Sequence, residues 1–260
     1  MTQTTTEEYK ALWLARYERD RSGFGEVLMW DPFREWERNS MPEVSVQQEF
    51  RGGLYVAYAF GSDHEQAMAF LRRTCQVAQR VIDEDKLTSP VCQSRFPKNR
   101  GTLYRAYTYA RAILGRSLDI EALRQSSRDF EEWCKRYEKG EWDSQAQANY
   151  LSAVRLSLIA GDIDRARELL KTKRSFKWHN TEHGLWKLLV EKREQARGDA
   201  EFIALFNYYF AKLRDPSVVP DVYMETDVLR LELAVIADKY ITSDDGRIEW
   251  PRAVDSVPGR

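Results

Sequence analysis

The chain has 260 residues, 43% of them hydrophobic and 31% charged, and its 40 basic and 41 acidic side chains leave a net charge of −1. That length allows one large folded unit or two small ones, and the composition argues against a disordered chain. Near-neutrality argues against general nucleic-acid binding, and the longest apolar run, LYVAYAF at 54–60, is far short of the roughly 20 residues that span a bilayer.

Cys75, Cys92 and Cys134 are odd in number and widely spaced, so reduced thiols are expected rather than a disulfide framework. The opening MTQTTTEEYK has neither the basic nor the apolar region of a secretory leader. Together these features lead to the expectation of a cytoplasmic protein.

Along the chain, helical periodicity dominates. Tyr9, Leu12, Trp13 and Tyr17 share one face of a predicted helix. Residues 20–43 read as irregular, with Gly23, Gly25, Pro32 and Pro42 interrupting any regular element. A second helix follows Asp63, with Ala67, Leu71, Cys75, Ala78 and Ile82 as its apolar face. Residues 84–100 form a predicted irregular connection that carries Pro90 and Pro97 and ends basic with Arg95, Lys98 and Arg100.

A hairpin pattern then recurs: an apolar helix, a glycine, a short polar link and an amphipathic helix. The glycines are Gly61, Gly115, Gly161 and Gly198, placed where a helix ends in a left-handed residue, and Asp63, Asp119, Asp162 and Asp199 are set to cap the following helices. The glycine spacings of 54, 46 and 37 residues exclude a regular tetratricopeptide array, whose period is about 34. The fold expected is all-α, an irregular stack of antiparallel helical hairpins, either a tetratricopeptide-like solenoid or a bundle. Residues 1–260 are read as a single helical domain with a polar tail at 241–260. The helix predicted at 223–240 is apolar on more than half of its surface, through Tyr223, Val228, Leu229, Leu231, Ala234 and Val235, and should be well buried.

The strongest chemical motif is FKWHNTEHGLW at 176–186, in which His179, Glu182 and His183 spell the H-x-x-E-H of inverted zinc metallopeptidases. Such a site needs both histidines on one helix face. Asn180 and Thr181 are favoured N-cap residues that would start the helix at Glu182 and leave His179 outside it, and Gly184 weakens a rigid presentation. No metal, cofactor or catalytic residue is therefore assigned; His179, Glu182 and His183 stay as the candidates of a zinc-hydrolase alternative. The sequence holds neither a nucleophile elbow nor a phosphate-binding glycine loop.

The chain has 8 Trp, 13 Tyr and 11 Phe, most of which are expected to fill gaps between helices. Tyr104 and Tyr107 lie on one side of their helix and Tyr109 on another, while Phe206, Tyr209 and Phe210 share a face from which Tyr208 turns away. Trp30, Trp36, Trp142 and Trp250 lie outside the apolar stripes; with Arg95, Lys98 and Arg100 they are the candidate interaction residues.

From about residue 145, NYLSAVRLSLIAGDIDRARELL, EKREQARGDAEFIALFNYYFAKLRD, YMETDVLRLELAVIADKY and GRIEWPRAV resemble the C-terminal half of the immunity-49 family of bacterial polymorphic-toxin immunity proteins. The resemblance covers less than half of the chain and fixes no binding residues. It implies a mostly helical protein, not an enzyme, that sits in the cytoplasm of the producing cell and neutralises a cognate toxin by stoichiometric binding. The alternative is a helical-repeat scaffold or regulator that binds a peptide or protein. The sequence leaves the oligomeric state open.

Overall fold

The computed structural model describes residues 46, 50, 64–84, 98–135, 143–172, 175–177, 179–192, 199–214 and 226–240. Among them are eight helices and no strand: α1 (His64–Asp83), α2 (Lys98–Ile113), α3 (Ile120–Lys135), α4 (Ser144–Ile159), α5 (Ile163–Leu170), α6 (Asn180–Lys192), α7 (Ala200–Arg214) and α8 (Thr226–Tyr240). The all-α fold expected from the periodicity is observed. Trp30, Trp36, Arg95, Trp142, Trp250, the predicted helix around Tyr9–Tyr17 and the 241–260 tail lie outside the described residues.

Two of the predicted glycine corners are described in full. Ahead of α3, Gly115 has φ +88°, and ahead of α5, Gly161 has φ +79°. Gly115 N–H donates to the Ala112 carbonyl and Arg116 N–H to that of Arg111, both at 3.0 Å; Gly161 and Asp162 repeat the pattern onto Leu158 and Ser157, both at 2.9 Å. These paired bonds close the last carbonyls of α2 and α4, and the left-handed residue they need is nearly free of steric cost only for glycine. The aspartates then open the next helices. Asp119 Oδ1 accepts from Ala122 N–H at 3.0 Å, Asp162 Oδ1 from Arg165 N–H at 3.1 Å, and Asp199 Oδ1 from Phe202 N–H at 2.8 Å. Asp143 caps α4 in the same way, at 2.7 Å from Ala146 N. Gly61, Asp63 and Gly198 lie outside the described residues.

Successive helices pack on one another from α1 and α2 through α6 and α7. The α2–α3 crossing is close at Gly101, where an added Cβ would lie 3.1 Å from Asp129 Cβ and 3.3 Å from the Ser126 carbonyl oxygen. On α1 the buried side chains are Leu71, Thr74, Val77, Ala78 and Val81, while Cys75 and Ile82 are only half-buried. Among the described side chains the inward face is thus rotated by part of a turn from the predicted stripe, with Thr74 buried beside the apolar residues. Lys98, Asn99 and Arg100 form the first turn of α2, so the predicted 84–100 connection gives way to helix three residues before its end. There, Arg100 Nε donates to Asp129 Oδ2 of α3 at 2.8 Å, and a second bond joins Arg100 Nη2 to Oδ1.

Helix α4 lies at the centre, contacted by α3, α5, α6 and α8. All ten residues from Leu151 to Ala160 are buried, as expected of a helix enclosed on every side. Its hydroxyls are satisfied locally: Ser152 donates to the Ala148 carbonyl, and Ser157 meets the Ala153 carbonyl and Ser127 of α3. Helix α8 does not simply extend the stack but returns onto α4. Tyr240 OH donates to the Leu158 carbonyl at 2.9 Å and Lys239 Nζ to that of Ile159 at 3.1 Å, placing a cation at the negative end of the α4 dipole. Of the residues expected to be buried, Val228, Leu229 and Leu231 are buried and Val235 is half-buried, with Leu233 and Ile236 also buried; Tyr223 and the Ala234 side chain lie outside the described residues.

Candidate functional site

The most concentrated chemistry in the described structure is a charge cluster in the core. Arg105 of α2, Arg155 of α4, Glu182 of α6 and Glu232 of α8 are all buried. Arg155 Nη1 bonds Glu182 Oε1, its Nε lies 2.6 Å from Glu232 Oε2, and its Nη2 donates to Ser152 Oγ at 2.8 Å. Arg105 Nε donates to Glu232 Oε1 at 2.7 Å. Tyr109 OH also reaches Glu232 Oε1, at 3.1 Å. Glu182 receives two more bonds, from Trp186 Nε1 at 2.9 Å and Tyr209 OH at 2.8 Å.

A buried charge is costly unless it is paired and hydrogen-bonded. Here two cations face two anions, so the formal charge sums to zero. The Arg155–Glu182 arm is well furnished: every guanidinium nitrogen of Arg155 has a partner, and both Glu182 oxygens are bonded. The Arg105–Glu232 arm is not, because Arg105 Nη2 is buried without a hydrogen-bond partner. Its guanidinium lies 5.8 Å from the centroid of the Phe130 ring, a cation–π contact that offsets part of the loss.

Burial alone would raise the Glu182 carboxyl, but Arg155 and the Trp186 and Tyr209 donors hold it below the ordinary glutamate value. Burial raises the Tyr109 and Tyr209 phenols well above the ordinary value, and the neighbouring carboxylates push the same way. The tyrosines therefore stay protonated as donors and Glu182 stays an ionised acceptor. The arrangement suits holding α2, α4, α6, α7 and α8 in one register.

The H-x-x-E-H residues separate around this cluster. The His179 carbonyl accepts from His183 N–H at 3.0 Å, so His179 is the cap position and α6 starts at Asn180, two residues before the predicted start at Glu182. Thr181, expected as a cap, lies in the first turn and bonds Asn180 Oδ1 at 3.3 Å. His179 Nε2 lies 3.3 Å from Ser144 Oγ, and His183 stacks on Phe176 with centroids 4.2 Å apart. Burial, with Lys187 adding to it, lowers His183 below the ordinary histidine value. Among the described residues, no group of three or more histidine, cysteine, aspartate or glutamate side chains is placed to hold a metal ion.

Of the candidate interaction residues, Lys98 opens α2 and Arg100 is joined to Asp129. A shallow groove of about 530 Å³ between α1 and α2 is lined by Cys75, Gln76, Gln79, Arg80, Asp83, Glu84 and Tyr107. Burial pushes its Cys75 thiol up to about 11, which keeps the sulfur protonated and weakly nucleophilic at neutral pH.

Sequence reasoning missed Arg105, Tyr109, Arg155, Trp186, Tyr209 and Glu232 as one constellation. A signal was present for one of them: Arg155 in SAVRLSLIA is a lone charge inside an apolar run, whereas Glu232 in VLRLELAVIA shares its run with Arg230. No family model matches this chain, and neither a curated protein nor a solved structure does.

Proposed function

We propose that this chain is a binding protein of the immunity type, which neutralises a cognate bacterial toxin in the cytoplasm by occupying it stoichiometrically. The reading rests on the resemblance of the segment from about residue 145 to the immunity-49 family. The structural observation that supports it is that Arg155 and Glu182, the central buried charge pair, bond to each other and to their neighbours and so serve the core. Recognition then falls to the exposed helix faces. These carry charges of both signs, such as Glu121, Arg128, Glu132 and Lys135 on α3, and an aromatic, Tyr208 of α7, which is 51% exposed. Interspersed charge with near-zero net charge favours one complementary partner over non-specific association. Among the described residues, no helix is long and apolar enough to cross a membrane.

The test is co-expression with the toxin domain encoded beside this gene. Protection of the cells and recovery of a one-to-one complex are expected. Equal killing with and without this protein would refute the reading. The glycine–aspartate corners at Gly115 and Gly161 favour one alternative, a helical-repeat scaffold, which would bind a peptide without protecting cells. Zinc analysis after metal-replete expression, with His179→Ala and His183→Ala alongside, addresses the hydrolase alternative; stoichiometric zinc lost in both variants would support it.

A further inference from the structure

Cys75 and the ring of Tyr107, both half-buried, give the groove between α1 and α2 its apolar part. Two amides stand beside them. Gln79 accepts from Tyr107 OH at 2.5 Å and donates to Asp83 Oδ1 at 2.8 Å. Gln76 is exposed and has no hydrogen-bond partner among the described residues.

The cations around the groove differ in how they are paired. Arg80 is joined to Glu84 at 2.8 Å, so those two charges offset each other. The Arg111 guanidinium lies over the Tyr107 ring, 5.2 Å from its centroid, and its Nε is buried without a hydrogen-bond partner. Arg116 is exposed in the turn after α2, and both arginines are close enough to Cys75 to act on its thiol. Neither has a carboxylate partner among the described residues. Asp83, the other acid of the groove, lies two helical turns beyond Cys75 on α1. That is about 12 Å along the axis, further than the roughly 8 Å over which physiological salt screens exposed charges. The Cys75 end of the groove therefore joins an apolar surface to two uncompensated cations.

Charge complementarity selects the occupant. A nucleic acid needs cations spaced along its length, whereas here they gather at one end and Asp83 stands at the other. A peptide segment meets every feature. An apolar side chain covers Cys75 and Tyr107, the Gln76 amide pairs with its backbone, and carboxylates match the planar guanidinium forks of Arg111 and Arg116.

We propose that the α1–α2 groove is the docking site for an acidic segment of a protein partner, with its apolar side chain against Cys75 and Tyr107 and its carboxylates on Arg111 and Arg116. The proposal rests on the reading of this chain as a protein-binding protein and gives that reading a surface.

Nitrogen–proton correlation NMR of the full chain tests it. The probe is a short acetylated and amidated peptide with leucines and a glutamate cluster, compared with the same peptide carrying glutamine for glutamate. Shifts centred on Cys75, Gln79, Tyr107 and Arg111 are expected, with the glutamate peptide bound at least about tenfold more tightly. That preference shrinks as salt is raised. Arg111→Gln with Arg116→Gln abolishes it; Arg116→Glu, at an exposed position, also lowers it and decides the matter if the paired variant does not fold. Equal affinity for the two peptides, no binding of either, or shifts centred elsewhere overturns the proposal. So does inorganic phosphate that gives the same shifts at the same affinity. Co-expression separates this outcome from the toxin reading. Failure of the unmodified protein to protect cells refutes immunity and leaves the groove to the peptide titration. Full protection by the paired variant keeps immunity and overturns the groove as the toxin's docking site.

Discussion

The α4–α5 corner and the charge cluster share helix α4, yet they hold the fold by opposite means. The corner is local: Gly161, Asp162 and the carbonyls of Ser157 and Leu158 lie within a few residues of one another. Each bond there satisfies a helix-end group that every helix leaves open. The cluster joins residues from Arg105 to Glu232 and has no local reason to exist. A defect at the corner should weaken one turn, whereas a defect in the cluster leaves a charge stranded beneath several helices.

The largest expected effect is therefore in the cluster. Arg155→Met strands Glu182 without its cation, and a loss of about 3–5 kcal/mol in urea unfolding is expected. A loss below about 1 kcal/mol would place the cluster with ordinary surface pairs. Cluster groups, with Cys75 and Tyr240 elsewhere in the fold, set the pH window. Glu182 is held below its ordinary value of 4.5, so its contribution is present above that pH and is lost as acid carries the pH down through the folded value. On the alkaline side the sign reverses. Cys75 is raised from 9.0 to about 11, Tyr240 from 10.0 to about 12, and Tyr109 and Tyr209 well above 10.0. Stability from these groups is complete below pH 9.0 and falls as the unfolded thiol and phenols ionise first. Thermal unfolding across pH should show a plateau that falls away at both ends.

Smaller effects separate the glycines. Gly161→Ala forces a side chain into a left-handed residue, where its Cβ would also lie 2.8 Å from Lys239 Nζ; about 1–2 kcal/mol of stability should be lost. Gly184 lies inside α6, and an added Cβ there meets nothing within 4 Å. Gly184→Ala should stabilise the protein by about 0.5–1 kcal/mol through helix propensity and a less flexible unfolded chain. Equal shifts in the two variants would contradict the distinction between a corner glycine and a mid-helix one.

These contrasts explain what was legible in the sequence. Gly115 and Gly161 with Asp119 and Asp162 could be read because glycine and aspartate answer needs set by the next few residues. Part of the inward face of α7 could be read from periodicity: Tyr208 stands exposed while Phe206 and Tyr209 are buried. The α1 stripe was read slightly off its true centre because Thr74 is buried as deeply as its apolar neighbours. Glu182 stood out through the histidines on either side, which suggested a metal; its described partners are Arg155, Trp186 and Tyr209. Pairings across 27, 77 or 127 residues leave no periodic trace, and the lone charge of Arg155 in the apolar run SAVRLSLIA is a local sign of one of them.

The most direct test of the cluster as one structural unit is a double-mutant cycle on Arg155 and Glu182. Arg155→Met, Glu182→Leu and the paired variant would be unfolded in urea beside the unmodified protein. A coupling of about 2–3 kcal/mol is expected, with the paired variant more stable than either single one because no charge is left unpaired between these positions. Additive losses would show that Arg155 and Glu182 act independently and would contradict the account.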